Sequence, residues 1–62
     1  MVTVEVYLKG NNWTKFTMEN VLEQSIREED GFLRYEYDGD DQHESVNMRL
    51  DNISHYMVIH KK

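Results

Sequence analysis

Residues 2–8, Val-Thr-Val-Glu-Val-Tyr-Leu, alternate apolar and polar side chains, and this alternation constrains the fold more than any other stretch. Successive side chains of an extended strand leave opposite faces, so Val2, Val4, Val6 and Leu8 share one face and Thr3, Glu5 and Tyr7 the other. Such a strand is half-buried, and it needs a sheet beside it and a layer beneath it. Gly10, Asn11 and Asn12 follow, residues that tolerate positive φ and suit a tight turn. A three-residue loop there pairs Val6 with Phe16 and Val4 with Met18 on the apolar face, and Tyr7 with Lys15 on the other. A two-residue loop would set Lys15 against Val6, so the longer loop is expected.

From Glu19 to Asp30 the period changes. Met18, Val21, Leu22, Ser25 and Ile26 fall at helical spacing. Asn20 with Glu23 resembles a capping box, and Gly31 suits a left-handed C-terminal cap. The expectation is a short helix of about eight to ten residues, with a strand through Val21 to Arg27 as the alternative. Beyond it, alternation returns: Leu33, Tyr35 and Tyr37 oppose Phe32, Arg34 and Glu36, and Val46, Met48 and Leu50 share the core face of the next strand. Charge argues a register, because like charges directly opposed on one face repel. Setting Tyr37 against Met48 places Glu36 opposite Arg49 and Arg34 opposite Asp51, and leaves Asp41, Gln42, His43 and Glu44 as the hairpin tip. A two-residue turn at Asp51 and Asn52 then opposes Leu50 to Ile53, Met48 to His55 and Val46 to Met57, completing a three-stranded meander.

The fold class expected is therefore α+β in a single domain over residues 1–62: an N-terminal hairpin, one short helix and a C-terminal antiparallel meander, in one curved sheet or small open barrel. Its core is expected to contain Val4, Val6, Leu8, Phe16, Val21, Leu22, Ile26, Leu33, Tyr35, Val46, Met48, Leu50, Ile53, Met57 and Ile59. A chain of 62 residues buries a smaller fraction of its surface than a larger domain does, and without cysteine it has no disulfide or thiolate zinc site to reinforce it. No apolar run approaches about 18 residues and no signal-peptide pattern opens the chain, so a cytoplasmic location without a membrane span is expected.

The net charge is −5, which argues against direct nucleic-acid binding through phosphates. Acidity is concentrated: residues 28–44 hold eight acidic side chains against Arg34 alone. Of these, Asp38, Asp40 and Glu44 lack the ligand spacing of a calcium loop. His43, His55 and His60 do not converge by sequence spacing, since His55 and His60 leave opposite faces of one strand. No metal or other cofactor is expected. Ser25, Ser45 and Ser54 have no nucleophile context, and no glycine-rich phosphate loop is present, so the chain is not expected to be an enzyme.

What remains is binding. Tyr7 and Trp13 fall on the outer face of the first hairpin, and Tyr56 and Val58 on the outer face of a last strand that is apolar on both sides. Aromatic residues of this kind are enriched at interface hot spots, and a small unreinforced domain gains by burying them. The first expectation is a protein-interaction module, homodimeric, that engages a protein partner through Tyr7, Trp13, Tyr56 and Val58. The second uses Glu28, Glu29, Asp30, Asp38, Asp40, Asp41 and Glu44 as an acidic surface. In size, acidity and mixed strand content the chain, with its stretches "DGFLRYEYDG" and "NMRLDNISHY", resembles small proteins of phages, prophages and mobile elements. Among these are the uracil-DNA glycosylase inhibitors of Bacillus phages, and the resemblance implies an inhibitor that imitates DNA charge to occupy the nucleic-acid-binding site of a basic protein.

Overall fold

The computed structural model describes residues 1–10 and 14–60. It is an all-strand, curled antiparallel sheet of six strands. These are β1 (Val2–Leu8), β2 (Thr14–Val21), β3 (Arg27–Glu29), β4 (Phe32–Asp38), β5 (His43–Arg49) and β6 (Ile53–His60). Short 3-10 turns occupy Glu23–Ser25 and Leu50–Asn52, and no α-helix occurs among the described residues. The radius of gyration, 11.7 Å, exceeds the roughly 10.5 Å expected of a closed compact chain of this length, as suits a half-barrel.

The α+β expectation is corrected here, and its helix is replaced by two backbone irregularities. Val4 pairs with Met18, but Val2 pairs with Val21, so one extra residue is inserted into β2. Asn20, with φ of 62°, absorbs that bulge. The bulge returns both Met18 and Val21 to the inner face and creates a spacing of three. The 3-10 turn then creates the spacing of four between Leu22 and Ile26. Together they imitate a helical period on an extended chain. Gly31 caps no helix: Asp30 and Gly31 have φ of 53° and 80° and form a two-residue turn between the paired Glu29 and Phe32. Two consecutive positive φ values are what a type I′ hairpin turn requires, and Asp-Gly supplies them readily.

The sheet has two halves, each built on a central strand. β1 lies between β2 and β6, and β4 lies between β5 on one edge and β3 with the end of β2 on the other. Val21 joins them, pairing with Val2 of β1 and Tyr37 of β4, and it is fully buried. Ser25 fastens the corner: its hydroxyl donates to the Leu22 carbonyl at 2.6 Å and accepts from the Glu36 amide at 2.9 Å. The core comprises Val2, Val4, Val6, Val21, Leu33, Tyr35 and Ile53, with Leu8, Met18, Ile26, Val46, Met48, Leu50, Tyr56 and Val58 among the partly buried residues against it.

Three further expectations are corrected. Tyr37 opposes Glu44 rather than Met48, a slip of four residues, and the tip becomes Gly39–Gln42, closed by the Gly39 amide on the Gln42 carbonyl. That register sets Tyr35 over Val46 and Leu33 over Met48, while Arg34 finds its counterion, Glu29, on the opposite neighbour β3. The meander ends at β5, because β6 crosses to the other half and pairs with β1. This pairing turns β6 over: Tyr56 and Val58 oppose Val6 and Val4 on the inner face, and Met57 and Ile59 face outward. Phe16, Met57 and Ile59, expected in the core, are 48%, 44% and 37% exposed. The first hairpin has the expected register, Val6 with Phe16, Val4 with Met18 and Tyr7 with Lys15. No helix among the described residues is long and apolar enough to cross a membrane.

Candidate interaction surface

The outer face of the sheet changes character between its halves. On the β3–β4–β5 half, period-two alternation aligns charged side chains in rows. Arg27 and Arg34 stand directly opposite each other, and acids on the same face offset the repulsion. Arg34 meets Glu29 at 2.6 Å and lies 5.6 Å over the Phe32 ring, and Arg27 lies 3.8 Å from Glu36. His43 continues the row, with Nε2 2.6 Å from Glu36 and Nδ1 3.0 Å from Asp38. Hydrogen bonds to Glu36 first, then to Asp38, hold its pKa above the usual histidine value. Both ring nitrogens are thereby occupied by carboxylates. Among the described residues no group of three or more His, Asp or Glu side chains is placed to hold a metal ion.

On the β1–β6 half the outer face carries Thr3, Glu5 and Tyr7 opposite Ile59, Met57 and His55. The Tyr7 and His55 rings stack at 4.3 Å with an interplanar angle of 18°. Glu5 accepts from the Tyr7 hydroxyl at 3.2 Å and meets Lys15 at 3.7 Å. Beside this one ion pair lie the exposed Met57 and Ile59, on a strand with no Asp, Glu, Lys or Arg. β6 is apolar on both faces, as its sequence indicates, but Tyr56 and Val58 face inward in place of the expected Met57 and Ile59. The missing signal was the partner of β6: only pairing with β1 decides which alternate set points inward.

The residues singled out from the sequence are dispersed. Tyr7 is on the outer face, whereas Tyr56 and Val58 line the inner one, and Trp13 lies outside the described residues. Tyr56 donates to Glu28 of β3 at 2.8 Å, tying the two halves together, and this hydrogen bond raises its pKa. Of the acidic set, Glu29 and Asp38 are in outer-face pairs, and Glu28 and Glu44 stand at the inner rim opposite Leu33 and Tyr37. Glu44 accepts from the Tyr37 hydroxyl, which raises the tyrosine pKa, and from Gln42 at 3.1 Å. Asp30 lies in the turn before β4, and Asp40 and Asp41 in the turn after it. The two acidic clusters thus sit at opposite ends of a seven-residue strand, about 20 Å apart at the usual rise.

One open groove, about 630 Å³, is lined by Met1, Leu22, Glu23, Gln24, Ser25, Arg27 and Glu36. Its hydroxyl is committed to backbone hydrogen bonds, and its guanidinium donates to the Ser25 carbonyl at 2.8 Å. No protein-family model matches the chain, and neither a curated protein nor a solved structure matches it significantly.

Proposed function

We propose that the protein is a non-enzymatic interaction module that works as a homodimer, with its contact surface on the β6 side of the sheet. The observation that carries this reading is the exposure of Met57 and Ile59 on an acid-free terminal strand of a chain with net charge −5. Exposed apolar side chains grouped on a small domain mark contact surfaces, and a second copy that hides them enlarges an otherwise small core. Tyr7 and its stacked His55 extend the same face. In this reading Tyr56 and Val58 support β6 from beneath. The Ser25 hydroxyl beside the groove is held between the Leu22 carbonyl and the Glu36 amide, a structural role at the corner of the sheet.

The acidic-inhibitor reading has less support. It needs a contiguous row of free carboxylates, but Glu28, Glu29, Asp38 and Glu44 have hydrogen-bond partners on two faces, and the remaining acids lie at both ends of β4. Size-exclusion chromatography with light scattering at high micromolar concentration tests the homodimer. The expected mass is twice that of the 7.5 kDa chain; a mass of one chain throughout the concentration series contradicts the reading.

A further inference from the structure

We propose that the second copy docks strand to strand: β6 of one protomer pairs antiparallel with β6 of the other about a two-fold axis at Met57 or at Val58. The two six-stranded sheets become one continuous sheet. The proposal rests on the homodimeric reading above and specifies how that dimer is made. β6 ends the strand order, and among the described residues its outward backbone edge pairs with no strand. A free edge of unpaired N–H and C=O groups is a template for another strand, and natural sheets guard such edges with charge, proline or bulges.

The strands with an unpaired edge differ in that respect: β3 carries Arg27, Glu28 and Glu29, and β2, which meets β4 only at Val21, carries Lys15 and Glu19. β5 carries His43, Glu44 and Arg49, and His43 is engaged by Asp38 and Glu36. β6 contains no Lys, Arg, Asp, Glu or proline along Ile53–His60. None of the chain's 12 acidic residues lies in β6, and the two carboxylates held against it, Glu28 on Tyr56 and Glu23 on His60, meet inner-face side chains. The outer row of Met57 and Ile59 is therefore where two acidic copies approach with the least like-charge repulsion.

Symmetry narrows the register. A two-fold axis normal to the sheet keeps outer side chains with outer and inner with inner, so each residue opposes one of the same face. An axis at Met57 sets Met57 against the partner's Met57 and Tyr56 against the partner's Val58. An axis at Val58 sets Val58 against its own copy and Met57 against the partner's Ile59. In either case the pairs around the axis are apolar on both faces. Moving the axis to Tyr56 brings Ser54 against Val58 and His55 against Met57, and the apolar match is lost.

The chain has no cysteine, so single introduced cysteines report the register cleanly. Directly opposed strand residues lie about 4.5–5.5 Å apart at Cα, within disulfide reach. Under mild oxidation Met57→Cys or Val58→Cys is expected to give a covalent dimer, and Ser45→Cys on β5 is not. Met57→Lys, at an exposed position, is expected to raise the dimer dissociation constant at least tenfold while circular dichroism stays unchanged. A dimer by light scattering that cross-links at neither β6 position, or at Ser45→Cys instead, overturns the strand pairing and leaves the homodimer standing. A monomer at every concentration overturns both.

Discussion

The two halves of the sheet share one core but meet solvent differently. Around β4 the outer face is a charged lattice in which Arg27 and Arg34 meet Glu29 and Glu36, and His43 lies between Glu36 and Asp38. Around β1 and β6 the same face, among the described residues, has one ion pair, a stacked tyrosine and histidine, and two exposed apolar side chains. Surface charge pairs contribute little to stability, so the lattice serves chiefly to keep that half solvated and its β5 edge unattractive to other strands. On the homodimeric reading proposed above, the difference directs attention to the half with exposed Met57 and Ile59 rather than to the conspicuous acidic segment.

The comparison presumes one cooperative unit, and the strongest perturbation tests that. Leu33 is fully buried on β4, and Leu33→Ala should cost about 2–5 kcal/mol. For a domain this small that approaches the whole stability, and urea unfolding followed at both halves should remain a single, shifted transition. Separate transitions for β1–β6 and β3–β5 would show that the halves are independent.

The corner between them comes next. Ser25→Ala leaves the Glu36 amide without its acceptor and should cost about 1–3 kcal/mol, read from the denaturation midpoint. Gly31→Ala places a side chain at φ of 80°, where nothing lies within 4 Å of the new Cβ, so the effect is backbone strain alone. About 1–2 kcal/mol of destabilisation is expected, confined in hydrogen exchange to the β3–β4 turn. Tyr35 buries a hydroxyl for which no protein partner is present among the described residues, and burial raises its pKa. Tyr35→Phe should therefore be neutral or stabilising by up to about 1 kcal/mol.

The smallest effect belongs to the charged lattice. His43 has its folded-state pKa raised by Glu36 and Asp38, so its contribution is fully present below the unfolded value of about 6.5 and is lost as pH rises through the folded value. His43→Gln should abolish that acid-side gain and leave stability near pH 8, in the range of about 5–8 where folds are usually most stable, almost unchanged. Nuclear magnetic resonance should show the His43 ring titrating above an ordinary histidine.

The strand at residues 2–8 and the register of the first hairpin were legible in the sequence, because alternation and loop length alone determine them. The helix expected before Asp30 failed because a bulge at Asn20 and a 3-10 turn at Glu23–Ser25 combine into a false helical period. The Asp30-Gly31 dipeptide was the available signal for a hairpin there. The β4–β5 register failed because charges were matched across one edge only, whereas Arg34 is neutralised from β3. The candidate surface was half visible: β6 was singled out as apolar on both faces, but which side turns inward is a property of its pairing with β1. The acidic residues of 28–44 form one cluster in composition only, because the fold divides them between two faces and two ends of β4.

The unequal edges can be compared directly by amide hydrogen exchange across a concentration series. The account predicts that alternate β6 amides from Tyr56 to Ile59, those directed outward, gain protection as concentration rises, while β5 amides exchange at a constant rate. Exchange on β6 that is independent of concentration, or protection that appears on β5 instead, would contradict it.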